Sequence, residues 1–248
     1  MNILITNDDG FQSKGIRELT EIARPFGKIM VVAPHDERSA QSSALTVKAP
    51  ILYKEISNKD NVRVIATTGT PADCVKLAFS GQIDGSFVPD LVLSGINHGS
   101  NAAINIIYSG TLGATFEGTL AKRPSIGFSF CSYNHDADFS FVREYFSKII
   151  KNVIENGLPE GVALNINAPV GEIKGMKVTR QARGSWQNEF LKTPTPHGLN
   201  AFWLAGEMKD EEPNATDTDE WALKNQFISI QPAKLDMTDY DSLNSLKF

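Results

Sequence analysis

The sequence predicts an α/β protein, a mostly parallel sheet carrying helices on both faces. Short apolar runs alternate with helical patterns through the first two thirds of the chain. Each run stops at a proline, a glycine or a polar cluster, as a buried strand does before its crossover. The 248 residues, 41% hydrophobic and 21% charged, suffice for one large domain or a domain with an appendage.

The elements follow in order. Ile3, Leu4 and Ile5 form a first strand that ends at Asn7. Residues 15–26 place Ile16, Leu19, Ile22 and Ala23 on one helical face and stop near Pro25 and Gly27. Residues 29–33 are a second strand, closed by Pro34 and followed by a polar loop over 35–43. Residues 62–66 read as a strand, and 71–79 as a helix with Thr70 as N-cap and Pro71 at its first position. A strand at 91–93, a helix at 111–121 opened by Ser109 and Gly110, and a strand at 125–130 come next. Residues 139–156 are an amphipathic helix and 162–166 a strand. The crossovers are expected to be right-handed.

After Pro169 the rhythm changes. Residues 176–181 and 201–204 read as two arms of a hairpin, 209–219 as an acidic loop and 227–230 as a last strand near a polar tail. The expected division is a core over 1–169 and a C-terminal extension over 170–248. A projecting hairpin has unpaired edges, which a partner subunit commonly covers.

Lys plus Arg number 24 against 29 Asp plus Glu, a net charge of −5. That argues against a nucleic-acid polymer as partner, since phosphate-backbone binding needs a basic face. Two cysteines, Cys74 and Cys131, make no disulfide framework and fit a reducing compartment. Asp8 and Asp9 interrupt the first apolar run before a signal peptide could form, and no stretch approaches the ~20 residues of a membrane span. A cytoplasmic protein is expected.

Four polar clusters stand where chemistry is expected. Asn7-Asp8-Asp9-Gly10 follows the first strand, and open α/β sheets bind ligands at the carboxyl ends of their strands. Adjacent ionised carboxylates repel unless a cation lies between them; the plainer alternative is a turn whose aspartate caps the next helix. Glu37-Arg38-Ser39-Ala40 offers a hydroxyl as a hard oxygen donor and an arginine for a phosphate, or simply a turn. The run from Ser94 to Asn101 leaves another strand, with Asn97 and Asn101 supplying amides and Gly95 and Gly99 permitting close approach. Tyr108-Ser109-Gly110-Thr111 opens a helix, where free N–H groups and hydroxyls favour an anion, although one hydroxyl suffices for a cap. Residues 69–74 read mainly as a capped helix start. The histidines lack zinc-hydrolase spacing, and there is no G-x-S-x-G, Walker A or G-x-G-x-x-G pattern.

Taken together, N-D-D-G at 7–10, A-P-x-x-E-R-S at 33–39, L-T at 45–46, G-T-P-A-D-C-V at 69–75, P-D-L-V-L-S-G-I-N-x-G-x-N at 89–101 and Y-S-G-T at 108–111 resemble the SurE family of nucleotidases. L-N-x-N-x-P at 164–169 and T-R at 179–180 continue the likeness. The resemblance implies a Rossmann-like three-layer core and a C-terminal extension used in a homodimer or homotetramer. It implies one Mg²⁺ or Mn²⁺ per subunit, with ligands falling on Asp8, Asp9, Ser39 and Asn97. Phosphate contacts fall on Ser109, Gly110 and Thr111, with Asn101 nearby. The implied reaction is hydrolysis of nucleoside 5′-monophosphates, with 3′-monophosphates and short polyphosphate as further family substrates. The chain departs from the family pattern at 41–46, at 103–107 and at 216–219, which bears on substrate preference.

The expected chemistry assigns Asp8 and Asp9 as catalytic, with Asp8 as general base toward the attacking water; direct attack by Asp8 remains open. A haloacid-dehalogenase-like phosphatase is one rival, though it needs D-x-D where this chain has adjacent aspartates. A nucleotide-binding module without catalysis is the other.

Overall fold

The structure, a computed structural model, describes residues 1–247. Its strands in chain order are β1 (Asn2–Thr6), β2 (Lys28–Pro34), β3 (Tyr53–Lys59), β4 (Val62–Thr67), β5 (Leu91–His98), β6 (Ser125–Phe130), β7 (Val162–Ala168), β8 (Gly175–Val178), β9 (Gly184–Gln187), β10 (Phe190–Thr193), β11 (Ala201–Leu204), β12 (Glu207–Asp210) and β13 (Phe227–Lys234). Nine of them form one sheet in the order β3-β4-β2-β1-β5-β6-β7-β13-β8. The run from β4 to β7 is parallel, while β3 and β13 pair antiparallel with β4 and β7. The chain winds outward from β1 to β2 on one side and to β5 on the other. The gap between β1 and β5 is therefore the topological switch point, where such sheets form a crevice.

Helices α1 (Lys14–Ala23), α2 (Pro71–Phe79), α3 (Gly110–Leu120), α4 (Ser140–Asn156) and α5 (Asp219–Lys224) accompany the sheet. Alternation along the strands makes the layers. Ile3, Ile5 and Val31 pack with Ile16 and Leu19 of α1 and Phe146 and Ile150 of α4. Leu4, Met30, Val32 and Val92 point to the opposite face, against Cys74, Val75 and Ala78 of α2 and Ala114 of α3. The expected three-layer α/β sandwich is what forms.

The extension differs from the sequence reading. Residues 176–181 do not pair with 201–204: β8 lies parallel to β13 inside the main sheet, and β11 pairs with β10. β12 pairs with β9, so residues 184–210 make two short ribbons outside the sheet. Residues beyond 169 thus supply two strands of the core. β13 runs on to Lys234, past the expected stop at 230, because its partner β7 continues beside it to Val162. The acidic stretch 209–219 starts within the last two residues of β12 and leads into α5, capped by Thr218, whose hydroxyl accepts the Trp221 N–H at 3.1 Å. β3 is an added edge strand, missed because its YKEISNK sequence is largely exposed and carries no apolar alternation. Pairings between distant segments leave no local signal in the sequence.

Candidate active site

The loop after β1 shows how N-D-D-G divides its work. Asn7 donates its amide N–H to Gly10 O at 3.0 Å and to Ser13 Oγ at 2.8 Å, and Ser13 in turn caps α1. Neither aspartate is needed as that cap, so both carboxylates are left for the crevice. Asp8 is 3% exposed and Asp9 half-buried.

Asp8 is held from two sides. The Thr111 hydroxyl donates to Asp8 Oδ1 at 2.6 Å, and the first-turn amides of Gly110 and Thr111 also favour its ionised form. A Cβ on Gly110 would lie 2.9 Å from Asp8 Oδ2, so only glycine lets the start of α3 approach this carboxylate. Thr111 Oγ1 stands 3.5 Å from Asn97 Oδ1, while the Asn97 amide N–H donates to Gly99 O at 2.9 Å and leaves that oxygen toward the crevice. The His98 backbone N–H reaches Asp9 Oδ2 at 3.4 Å. The end of β5 can run this close to β6 because Gly95, at φ +124°, passes where a Cβ would meet Phe128 O at 2.2 Å.

The electrostatics are those of an uncompensated pair. Burial raises the Asp8 carboxyl above its usual range despite the hydrogen bonds that oppose it. Asp9 is pushed up to about 7, first by desolvation, then by the neighbouring Asp8 charge and by Glu37. Among the described residues no Lys, Arg or His forms a salt bridge with either one. No third His, Cys, Asp or Glu among them completes a metal cluster with the pair. The donors at hand are all hard oxygens: two carboxylates and the amide oxygen of Asn97. Such a set, short of positive charge, fits a hard divalent cation.

Ser39 lies beside this group on an exposed loop. Its hydroxyl donates to Glu37 Oε1 at 2.7 Å, while Arg38 N donates to Asp8 O at 2.7 Å and ties the loop to the aspartates. Ser109 is both a cap and a buried wall: its oxygen accepts the Leu112 N–H at 3.2 Å, and its own O–H donates to no group among the described residues. Gly110 and Thr111 direct their N–H groups at Asp8, so fewer of them face a phosphate than the sequence implies. Asn101 is a framework residue. Its N–H donates to Asn167 Oδ1 and its side chain to Ser129 Oγ, both at 2.8 Å, and its carbonyl accepts from Asn165 Nδ2 at 2.9 Å. His98 keeps its ring against Phe139 and His135, and neither ring nitrogen has a partner among the described residues.

Two groups escaped the reading of residues. Asn165 and Asn167 enter there only through a likeness of motif, yet they anchor the 99–102 segment, and Asn165 also donates to Gln231 Oε1 at 2.8 Å. Asp219, fully buried, accepts N–H groups from Ala103 at 2.8 Å, Ala182 at 2.9 Å and Glu220 at 2.8 Å. Alternation along β7 could have flagged the asparagines, since both occupy buried positions of a strand.

These features define an α/β protein of the Rossmann-like type with an acidic pair at the switch point of its sheet. A family model described as "Survival protein SurE" matches residues 3–188. A "5′-nucleotidase SurE" of Bacteroides thetaiotaomicron is 45% identical over 245 residues, covering 98% of this chain and 94% of that protein. One from Phocaeicola vulgatus is 42% identical, covering 99% and 95%. The crystal structure of the SurE protein of Aquifex aeolicus superposes with a TM-score of 0.85 at 36% identity, covering 100% of this chain and 98% of that one. The chain belongs to the SurE family.

Proposed function

We propose that the chain is a divalent-metal-dependent phosphatase that converts nucleoside 5′-monophosphates to nucleoside and phosphate. The observation that carries this reading is the Asp8–Asp9 pair: two adjacent carboxylates at the crevice of the sheet, both raised in pKa by burial and in salt bridge with no cationic side chain among the described residues. The relatives from Bacteroides thetaiotaomicron and Phocaeicola vulgatus are 5′-nucleotidases by name, which supports the substrate class.

Asp8, Asp9, Asn97 and Ser39 are the residues that would hold Mg²⁺ or Mn²⁺, one per subunit. Bound there, such an ion would supply positive charge to offset that of the phosphoryl group in a loose transition state. Asp8, pinned by Thr111, takes the proton of the attacking water as the water oxygen bonds to phosphorus. The ester P–O bond breaks, and the departing nucleoside oxygen takes a proton from solvent. The Ser109 hydroxyl donates to a phosphoryl oxygen. Thr111 acts as the positioning residue for Asp8, and Asn101 holds the neighbouring segment in place.

In this reading the site belongs to the core over 1–169, whose sheet β13 and β8 complete, and the extension over 170–248 would mediate a homodimer or homotetramer through its ribbons. No helix among the described residues is long and apolar enough to cross a membrane.

Phosphate release from adenosine 5′-monophosphate tests the reading. Release that stops with a chelator and returns with Mg²⁺ or Mn²⁺ is expected; nucleotide binding with no release overturns it in favour of a binding module. A trapped phosphoaspartate at Asp8 would replace water attack by direct attack. The panel includes 3′-monophosphates and short polyphosphate.

A further inference from the structure

We infer that Asp219, on the C-terminal extension, is a positioning residue for the acidic site: together with Trp186 it holds the 3₁₀ turn Ala103–Ile107, which delivers Ser109, Gly110 and Thr111 to Asp8. The inference rests on the phosphatase reading, because it explains how residues of that site are kept in place.

Asp219 carries a fully buried carboxylate that no step of the proposed hydrolysis uses. Its own helix does not require it, since Thr218 already caps α5. A buried charge is costly unless donors surround it. Here the donors come from three segments. Oδ2 accepts the Ala103 N–H at 2.8 Å, and Oδ1 accepts the Ala182 N–H at 2.9 Å and the Glu220 N–H at 2.8 Å. The Asp219 N–H itself donates to Arg180 O at 3.0 Å. One side chain thus joins the loop after β5, the link between β8 and β9, and α5.

The Ala103 end needs such a holder. Ala103 is fully buried at φ +51°, a left-handed conformation that a side chain disfavours. From there to the acidic site the chain has little freedom. Asn105 N donates to Ala102 O at 3.2 Å and Tyr108 N to Asn105 O at 3.1 Å. Asn105 Oδ1 accepts the Trp186 indole N–H at 2.8 Å, a second grip from the extension. Ile106 packs with Leu112 and Phe116 of α3 and with Ala233 of β13. Two residues past the turn, Ser109 caps α3, and Gly110 lies against Asp8. A tilt of the turn therefore moves the Thr111 hydroxyl that bonds Asp8 Oδ1. A displacement of roughly 1 Å in such a group costs a large factor in rate.

The test reads the start of α3 and turnover separately. Asp219→Asn keeps the shape but sets an amide NH₂ against a backbone donor; Trp186→Phe keeps an aromatic ring and removes the N–H. Ala222→Gly weakens α5, leaves both grips in place and serves as the stability control. With adenosine 5′-monophosphate, kcat is expected to fall about tenfold in Asp219→Asn and about threefold in Trp186→Phe, with KM within about twofold of wild type. In Ala222→Gly, kcat is expected to stay at the wild-type value at a temperature where all the proteins are folded. Hydrogen exchange of the 109–112 amides, read by mass spectrometry, is expected to quicken in the first two variants and not in the third. Unchanged exchange over 109–112 in both, a kcat that both leave unchanged, or a kcat loss that Ala222→Gly reproduces overturns the inference. If Asp219→Asn does not fold, Trp186→Phe decides by the same two readings. If the wild-type protein hydrolyses no ester, the phosphatase reading falls, and the exchange still decides whether the extension holds the start of α3.

Discussion

The carboxyl edge of the sheet and the ribbons over 184–210 handle water in opposite ways. At the edge, polar side chains are buried and matched: Asn101, Ser129, Asn165, Asn167 and Gln231 satisfy one another within one subunit. In the ribbons, apolar side chains are exposed: Phe190 and Leu204 at 71%, Trp203 at 67% and Leu191 at 62%. The first region is self-sufficient and holds a ligand site rigid. The second leaves a large apolar surface in water, as an interface does before its partner arrives. Precision at the site therefore comes from polar groups removed from water, and the ribbons leave apolar surface in it that the proposed assembly would cover.

The sharpest break of this contrast is Asp8→Asn, which keeps the shape of the edge and removes its base. Turnover should fall on the order of 10²–10⁴, as for loss of an acid–base group, with the melting temperature preserved or raised. Phosphate release alongside thermal melting checks both halves, and full activity would refute the role of Asp8.

Next in size is Asn167→Ala, which strips the Asn101 N–H and the Asn165 amide of their buried partner. A loss of about 1–3 kcal/mol in urea unfolding is expected. A neutral result would mean that the edge does not depend on its polar ladder.

The acidic pair gives a smaller, signed effect. With its carboxyl at about 7 in the folded chain against an ordinary 3.8, Asp9 binds a proton more tightly when folded. Between those values the folded state holds more protons than the unfolded one, so stability falls as pH rises through about 4 to 7. In chelator the melting temperature should decline across that window, and Mn²⁺ should flatten the decline. A metal-free profile that rises from pH 4 to 7 with no Asp9 contribution, judged against Asp9→Asn, would contradict the burial of this pair.

The least effect on the subunit itself belongs to the ribbons. Leu191→Ser with Trp203→Ser should alter core stability by about 0.5 kcal/mol or less. The same change should lower the mass seen by light scattering and remove any dependence of the urea midpoint on protein concentration. An unchanged mass would detach assembly from the ribbons.

Legibility followed the range of the forces involved. The helices from α1 to α4 and the parallel strands were readable because 3.6-residue and two-residue periodicities are local. Asp8, Asp9, Asn97 and Ser109 stood out in the sequence because each sits at or next to the end of an element, where such sheets place their sites. The roles within that group were less so. Asn101 was expected near phosphate and proves to be a strut; Thr111 was expected on phosphate and holds Asp8. Both assignments turn on contacts with residues 28 to 103 positions away. The pairings of β8, β10 and β13 were missed for the same reason.

The sequence by itself determined the layers, the family likeness and the two adjacent carboxylates after β1, because burial periodicity and residue chemistry are written along the chain. Tertiary structure alone decided that Gly110 brings α3 against Asp8, that β5 carries Asn97 to the same crevice, and that β13 returns beside β7. Those outcomes depend on which distant surfaces exclude water together, and no run of neighbouring residues encodes that choice.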